Sequence, residues 1–356
     1  MNHDASSCIA GYSSRAMAAR VGILGASGYT GVELLRLLAG HPALEVAYVG
    51  AASNAGNLVA EVAPGLAAAY GDLRFGAIDA DSVDGLDLVF CALPHGASSH
   101  LVPALLSRVG HVVDLGADFR LRDATAYPTW YGQEHPHPDL LAEAAYGLPE
   151  LFREPLVGAS LIAAPGCYVT AATLALAPFV RAGAIEPSGV VVDAYSGASG
   201  AGRVPKPNVH FCAVDEDLSA YGLLSHRHTP EIEQATGAQV LFTPHLAPIN
   251  RGILATVYAR PASPGLTTQA ALDVLAAAYA DEPFIVVAER SPSTKATLGS
   301  NTCHLTARVD PRTGWLVAIA ALDNLVKGAS GQALQCANLA LGLDETMGLP
   351  LVGLTP

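Results

Sequence analysis

This 356-residue sequence is short of charge: Asp, Glu, Lys and Arg make up 14%, against the ~25% usual in soluble proteins. Nineteen Lys and Arg face 32 Asp and Glu, a formal net charge of −13. No basic run and no interleaving of basic with aromatic residues offsets that balance, which argues against nonspecific nucleic-acid binding. A small anionic substrate stays open, because a few placed Arg and His residues are enough to bind one. The six cysteines, Cys8, Cys91, Cys167, Cys212, Cys303 and Cys336, lie far apart without a C-x-x-C pair. Neither a disulfide framework nor a zinc cage is expected from them, and they suit a reducing cytoplasm. Low-complexity polar tracts are missing and 51% of residues are hydrophobic, so a disordered chain is excluded.

An unbroken membrane-length apolar run is also lacking. Residues 155–180 carry no charge and are long enough to raise the question. Pro165-Gly166 interrupts them, Pro178 stands near their end, and Tyr168, Thr170 and Thr173 add hydroxyls. A strand, a tight turn and a buried helix account for the run. The first twenty residues show neither the basic start nor the apolar segment of a signal peptide. Residues 1–19 are expected to be a disordered extension, with Met17 as an alternative start.

What is present alternates. Residues 21–24 read as a buried strand, followed by Gly25-Ala26-Ser27-Gly28-Tyr29-Thr30-Gly31 and a helical stretch in which Leu34, Leu35 and Leu38 share a face. Further strands are expected at 46–49, 87–93 and 111–115, with a helix near 97–108 before the last. That alternation predicts a parallel, doubly wound sheet. After Pro165-Gly166 the pattern changes. Residues 189–194 and 252–259 look like strands and 270–280 like a helix. Residues 302–309 and 315–321 flank a hairpin loop, and Trp315, Val317, Ile319 and Ala321 fall on one face. This second part reads as antiparallel α+β, and the tail from 325 to 343 is expected to be helical and to pack back on the first part.

Four segments can carry chemistry. Gly25, Gly28 and Gly31 sit at the first strand-to-helix junction, where backbone amides approach a pyrophosphate. The position about 20 residues on, which often holds an acidic residue for the ribose 2′-OH, is Ala51-Ala52-Ser53-Asn54. Without a carboxylate there, a 2′-phosphate is not repelled, which favours NADP over NAD. Cys167 stands just after Pro165-Gly166, at the start of a helix whose dipole is expected to favour thiolate. Cys91, Cys303 and Cys336 lie in apolar patterns and read as packing, while Cys212 beside Phe211 is open. Ser225-His226-Arg227-His228-Thr229-Pro230-Glu231 is the best source of a base for a nucleophilic cysteine. Its two histidines lack a third ligand at metal spacing, and Thr229 also reads as a helix N-cap. Finally, the small-residue run 196–203 allows close backbone approach to a ligand, although a flexible loop is equally compatible with its composition.

Eight segments in order, from Gly25–Gly31 through 116–121, 146–150, 165–168, 196–203, 226–231 and 251–253 to 323–328, resemble the N-acetyl-γ-glutamyl-phosphate reductase family, relatives of aspartate-semialdehyde dehydrogenase. The resemblance runs from about residue 20 to the end. It implies an α/β fold with an N-terminal Rossmann-type doubly wound parallel sheet plus an α+β catalytic domain with a largely antiparallel sheet. Residues 20–165, completed by a C-terminal helix 325–356, would form the NADP-binding domain, and residues 166–324 the catalytic and dimerisation domain. It further implies Cys167 as nucleophile and His226 as acid/base, with Arg120, His228 and Arg251 binding substrate. Gly25, Ser27, Gly28, Tyr29, Thr30, Gly31, Ser53, Pro94, Gly197 and Asn324 would hold NADP(H). The substrates implied are a small acyl phosphate or its semialdehyde and inorganic phosphate, with no nucleic acid, membrane or metal, in a cytoplasmic homodimer or homotetramer. A carrier-protein-bound aminoadipyl or glutamyl phosphate is the alternative substrate; the net charge of −13 disfavours an acidic carrier.

Overall fold

The computed structural model describes residues 18–354. The expected extension therefore lies almost wholly outside the described residues, as do Cys8 and Met17. Eight elements give the first sheet and two of its longer helices: β1 (Ala19–Leu24), α1 (Tyr29–Leu38), β2 (Leu44–Gly50), β3 (Leu88–Cys91), α2 (Ser98–Leu106), β4 (His111–Asp114), β5 (Ala145–Tyr146) and β6 (Leu161–Ala163). All strand pairs are parallel, in the order β2-β1-β3-β4-β6-β5. Val21, Ile23, Leu24, Leu88, Val89 and Phe90 are wholly buried, the signature of strands covered on both faces. The chain leaves β1 to one side for β2 and returns to its other side for β3. That reversal opens a crevice at the carboxyl ends of β1 and β3, where open α/β sheets take their ligands.

The second sheet has seven strands. Its elements are α3 (Cys167–Arg181), β7 (Val190–Gly197), β8 (Ser219–Ala220), α4 (His228–Thr236), β9 (Val240–Ala247), β10 (Ile253–Ala259), α5 (Thr268–Ala278), β11 (Ile285–Val287), β12 (Cys303–Val309) and β13 (Leu316–Leu322). The order is β11-β12-β13-β10-β7-β9-β8. Four neighbouring pairs are antiparallel, while β7–β9 and β11–β12 run parallel. The expected hairpin is β12–β13, with Thr306 opposite Ile319. Val317 and Ile319 do share a face, but the core face is the other one. Leu316, Ala318 and Ala320 are buried to within 1%, because α3 lies across them and alanines let the helix come close. The uncharged run 155–180 is β6, the Pro165-Gly166 turn and α3, whose first two turns are almost entirely buried.

The tail departs from expectation in length. A π turn, Val326–Ser330, leads into α6 (Gly331–Ala340). Gly342, at φ +68°, then ends the helix in the left-handed region, and the rest of the described tail is irregular. Val326, Ala333, Leu334, Cys336 and Ala337 join the core of the first sheet. Lys327 is wholly buried there, donating to Glu150 and, at 2.8 Å, to Gln335 Oε1. Its ammonium holds the Glu150 carboxyl below the usual range against the opposing pull of burial. No helix among the described residues is long and apolar enough to cross a membrane.

Candidate active site

Gly25 has φ +88°, and a Cβ there would lie 2.2 Å from Ala92 O, so the end of β1 can turn only with glycine. Gly28 is the N-cap of α1 and offers no side chain to the first amides of the helix. Those amides and the positive end of the helix suit a pyrophosphate. Gly31 has a different duty: a Cβ would stand 2.5 Å from Ala26 Cα, so it permits close packing of the helix on the turn that follows β1. A cleft of about 740 Å³ opens here, lined by Ser27, Tyr29, Ser53, Pro94, Cys167 and Asn324 among others. These groups fit a nicotinamide dinucleotide, and the glycine turn and Cys167 border the same cleft.

Cys167 opens α3, with Gly166 as N-cap. It also lines a second chamber of about 330 Å³ with Tyr168, Lys206, Tyr221, His226, Arg227 and His228. Three groups fix its surroundings. The Gly166 N–H donates to Glu231 Oε1 at 3.0 Å, and Tyr146 OH donates to the same oxygen at 2.9 Å. A Cβ on residue 166 would meet His228 Nε2 at 2.3 Å, so the imidazole lies directly on the turn. A Cβ on residue 328 would meet Cys167 Cβ at 2.9 Å, so the π turn packs against the cysteine. Burial pushes the Cys167 thiol up to about 11, while Arg120 and the N–H groups of Tyr168 and Cys167 pull it back only in part. The expected helix-stabilised thiolate is thus outweighed by desolvation in the unliganded site.

The His226 ring is enclosed by aromatic edges, with Tyr221 at 5.5 Å, Phe242 at 5.4 Å and His228 at 4.7 Å. Burial, and then the Arg227 guanidinium, push its pKa down to about 4. Burial, with His226, Arg120 and Arg227 adding to it, holds His228 well below its usual value. Both imidazoles are therefore neutral at pH 7. His226 Nδ1 accepts from the His228 N–H at 3.2 Å, which leaves Nε2 for the chamber. Among the described residues no cluster of His, Cys, Asp and Glu could hold a metal. Helix α4 starts at His228 with Arg227 as N-cap, so Thr229 lies inside the helix rather than capping it; its N–H is already taken by His226 O.

The remaining expected residues are dispersed. Arg120 lines the dinucleotide cleft but is sequestered: its Nε donates to Ala164 O at 2.8 Å, its Nη2 to Leu115 O at 2.9 Å, and its Nη1 faces Glu231 at 3.6 Å. Arg251 lines neither cavity and binds Glu33 at 2.8 Å and Asp323 at 3.6 Å, joining α1 to the second sheet. Gly197 also stays out of both linings, because it packs on Asn250 and Arg251, where a Cβ would be 2.8 Å from backbone. Asn324 ties the wall together, accepting from Gly252 N at 2.7 Å and donating to Ser199 at 2.9 Å. Sequence reasoning gave no role to Glu231, Lys206 or Arg227, although two of these three stood inside the His226–Glu231 motif. Arg203 was likewise passed over; it crosses from the second sheet to donate to Ser27 O at 2.9 Å and Val62 O at 3.3 Å.

Comparison with known proteins agrees with this layout. Residues 20–159 match the family described as "Semialdehyde dehydrogenase, NAD binding domain", and residues 167–324 match "Semialdehyde dehydrogenase, dimerisation domain". A protein of Symbiobacterium thermophilum called N-acetyl-gamma-glutamyl-phosphate reductase is 50% identical over 342 residues, 94% of this chain and 98% of its own. One of the same name from Magnetococcus marinus is 48% identical over 346 residues, covering 95% and 99%. Among solved structures, aspartate semialdehyde dehydrogenase II of Vibrio cholerae superposes with a TM-score of 0.70 at 16% identity, over 92% of this chain and 99% of that one. The Candida albicans aspartate semialdehyde dehydrogenase with NADP gives 0.66 at 16% identity, over 90% and 98%. At such identities these structures speak for the fold.

Proposed function

The chain belongs to the N-acetyl-γ-glutamyl-phosphate reductase family of semialdehyde dehydrogenases, and from that premise we propose that it uses NADPH to reduce N-acetyl-γ-glutamyl phosphate to N-acetylglutamate 5-semialdehyde and phosphate, a reversible step of arginine synthesis. The carrying observation is that Cys167 lines both the dinucleotide cleft and the adjoining chamber. A nucleophile at that junction can hold an acyl group within reach of a nicotinamide.

In this reading His226 takes the Cys167 proton, and the sulfur attacks the acyl carbonyl. The new C–S bond forms as the C–O bond to phosphate breaks, leaving a thioester on Cys167. The N–H groups at the start of α3 stabilise the oxyanion. Bound nicotinamide supplies the hydride that carries the acyl group to the aldehyde level. His226 then returns its proton to the oxygen. Collapse of the hemithioacetal breaks the C–S bond and passes the hydroxyl proton back through His226, which frees the aldehyde and regenerates the Cys167 thiol. The glycine turn, Ser53, Pro94 and Asn324 hold the dinucleotide, and the uncharged Ser53-Asn54 corner supports NADP over NAD. His228 supports the turn that presents the nucleophile. We assign residues 20–165 with the tail to the dinucleotide-binding unit and 166–324 to the catalytic unit. A homodimer or homotetramer is in keeping with the name of the second matching family. The five free cysteines of the described residues suit the cytoplasm.

The test is phosphate-dependent reduction of NADP by purified protein. N-acetylglutamate semialdehyde should be oxidised and aspartate semialdehyde should not. Turnover of the second alone would refute the assignment, and NAD serving as well as NADP would refute the cofactor preference.

A further inference from the structure

An acyl phosphate made from an amino acid bears two anionic groups, a carboxylate and the phosphate, and a cation facing the chamber would give either one a strong, charge-assisted seat. Arg120 has its guanidinium committed to Ala164, Leu115 and Glu231. Arg251 is held by Glu33 and Asp323 outside the chamber. Lys206 lines both cavities from an exposed loop and donates to Ala201 O at 3.1 Å. Arg227 lines the chamber beside Cys167 and is exposed. Among the described residues it has no carboxylate partner. Its guanidinium instead lies 5.5 Å from the centre of the Tyr131 ring, a cation–π seat that fixes the position of the fork without consuming its N–H donors.

We infer that Arg227 binds an anionic group of the substrate, its carboxylate or its phosphate. The position follows from the fold. Arg227 is the N-cap of α4 between His226 and His228, so its backbone is fixed by the same turn that sets both imidazoles. Its planar fork matches two oxygens of either group, which a lysine ammonium does not. Its charge also holds both imidazoles down, and an anion seated on it relieves that repulsion.

The inference rests on the proposed function, and run in reverse the reaction separates the two anions onto the semialdehyde and inorganic phosphate. With wild-type activity on N-acetylglutamate semialdehyde established first, R227Q should raise the KM for one of these two substrates at least about tenfold, the weight of a charge-assisted hydrogen bond. A rise for the semialdehyde places the carboxylate on Arg227, and a rise for phosphate places the phosphate there. Binding of NADP to the unliganded protein, followed by titration calorimetry, should not change, which also shows that the variant is folded. R227K should recover part of the loss. If both KM values stay at the wild-type level in R227Q, Arg227 does not bind substrate. If the wild type fails to oxidise the semialdehyde, the proposed function fails instead.

Discussion

In the dinucleotide cleft beside Cys167 the glycine-rich corner is built by backbone. Gly25 at φ +88°, the uncapped start of α1 and the small residues 199–202 present amides rather than charges. On the substrate side the wall is side chains: Tyr168, Tyr221, His226, Arg227 and His228, drawn from α3, the loop after β8 and α4. A backbone site is written in consecutive residues, since glycines at one strand-to-helix junction suffice. A side-chain site exists only once the second sheet has folded, and its geometry depends on contacts such as Gly166 against His228. The first should tolerate loss of individual side chains, and the second should not.

Changes on the substrate side should cost most. H226Q is expected to lower kcat by roughly 10²- to 10⁴-fold, the range for a general acid/base, with little change in cofactor affinity. An equal loss in H228Q with none in H226Q would transfer the role to the other histidine.

The thiol gives a pH test of the same wall. A group raised to about 11 loses its proton only toward that pH, so thiolate increases as pH rises across the neutral and alkaline range. The rate of Cys167 alkylation by iodoacetamide in the unliganded enzyme should climb roughly tenfold per unit, about a thousandfold from pH 7 to 10. A plateau already at pH 7 would mean that the helix start outweighs burial.

Gly166→Ala asks whether the two histidines and the turn act as one unit. Displacing His228 from the 2.3 Å contact should cost about 10² in kcat/KM, the scale of a 1 Å misplacement. The far-UV spectrum should be unchanged, and activity near the wild-type level would show that the turn has room to yield.

Arg203→Ala probes the cleft side, where the smallest effect is expected. Loss of its two bonds to carbonyl oxygens should weaken NADP binding about fivefold, equivalent to about 1 kcal/mol, and leave the semialdehyde KM alone. A large rise in that KM would mean that the two walls are not separable.

The same contrast explains what could be read from the chain. Strands β1 to β4, β7, β10, β12 and β13, the turn inside the uncharged run and the cysteine at a helix start are local patterns, and they stand where the periodicity put them, whereas β8, β9 and β11 of the second sheet were not expected. The short strand β5 went unread because two residues show no period. The helix 325–356 expected to complete the first domain was too long, because the left-handed turn at Gly342 ends it. Arg251 and Gly197 looked like site residues in the chain, yet one bridges Glu33 and Asp323 and the other packs on the backbone of 250–251. Arg227 and Glu231 sat within a motif already singled out, but their roles depend on Tyr131, Tyr146 and Gly166, contacts between residues far apart in the chain.

The central claim is that Cys167 carries the acyl group. Incubating the enzyme with N-acetylglutamate semialdehyde and NADP in the absence of phosphate, quenching in acid and mapping peptides by mass spectrometry tests it directly. One N-acetylglutamyl group should be found on the peptide containing Cys167, with one NADPH formed per site and neither seen in C167S. An acyl group on another residue, or a full NADPH burst in C167S, would contradict the account.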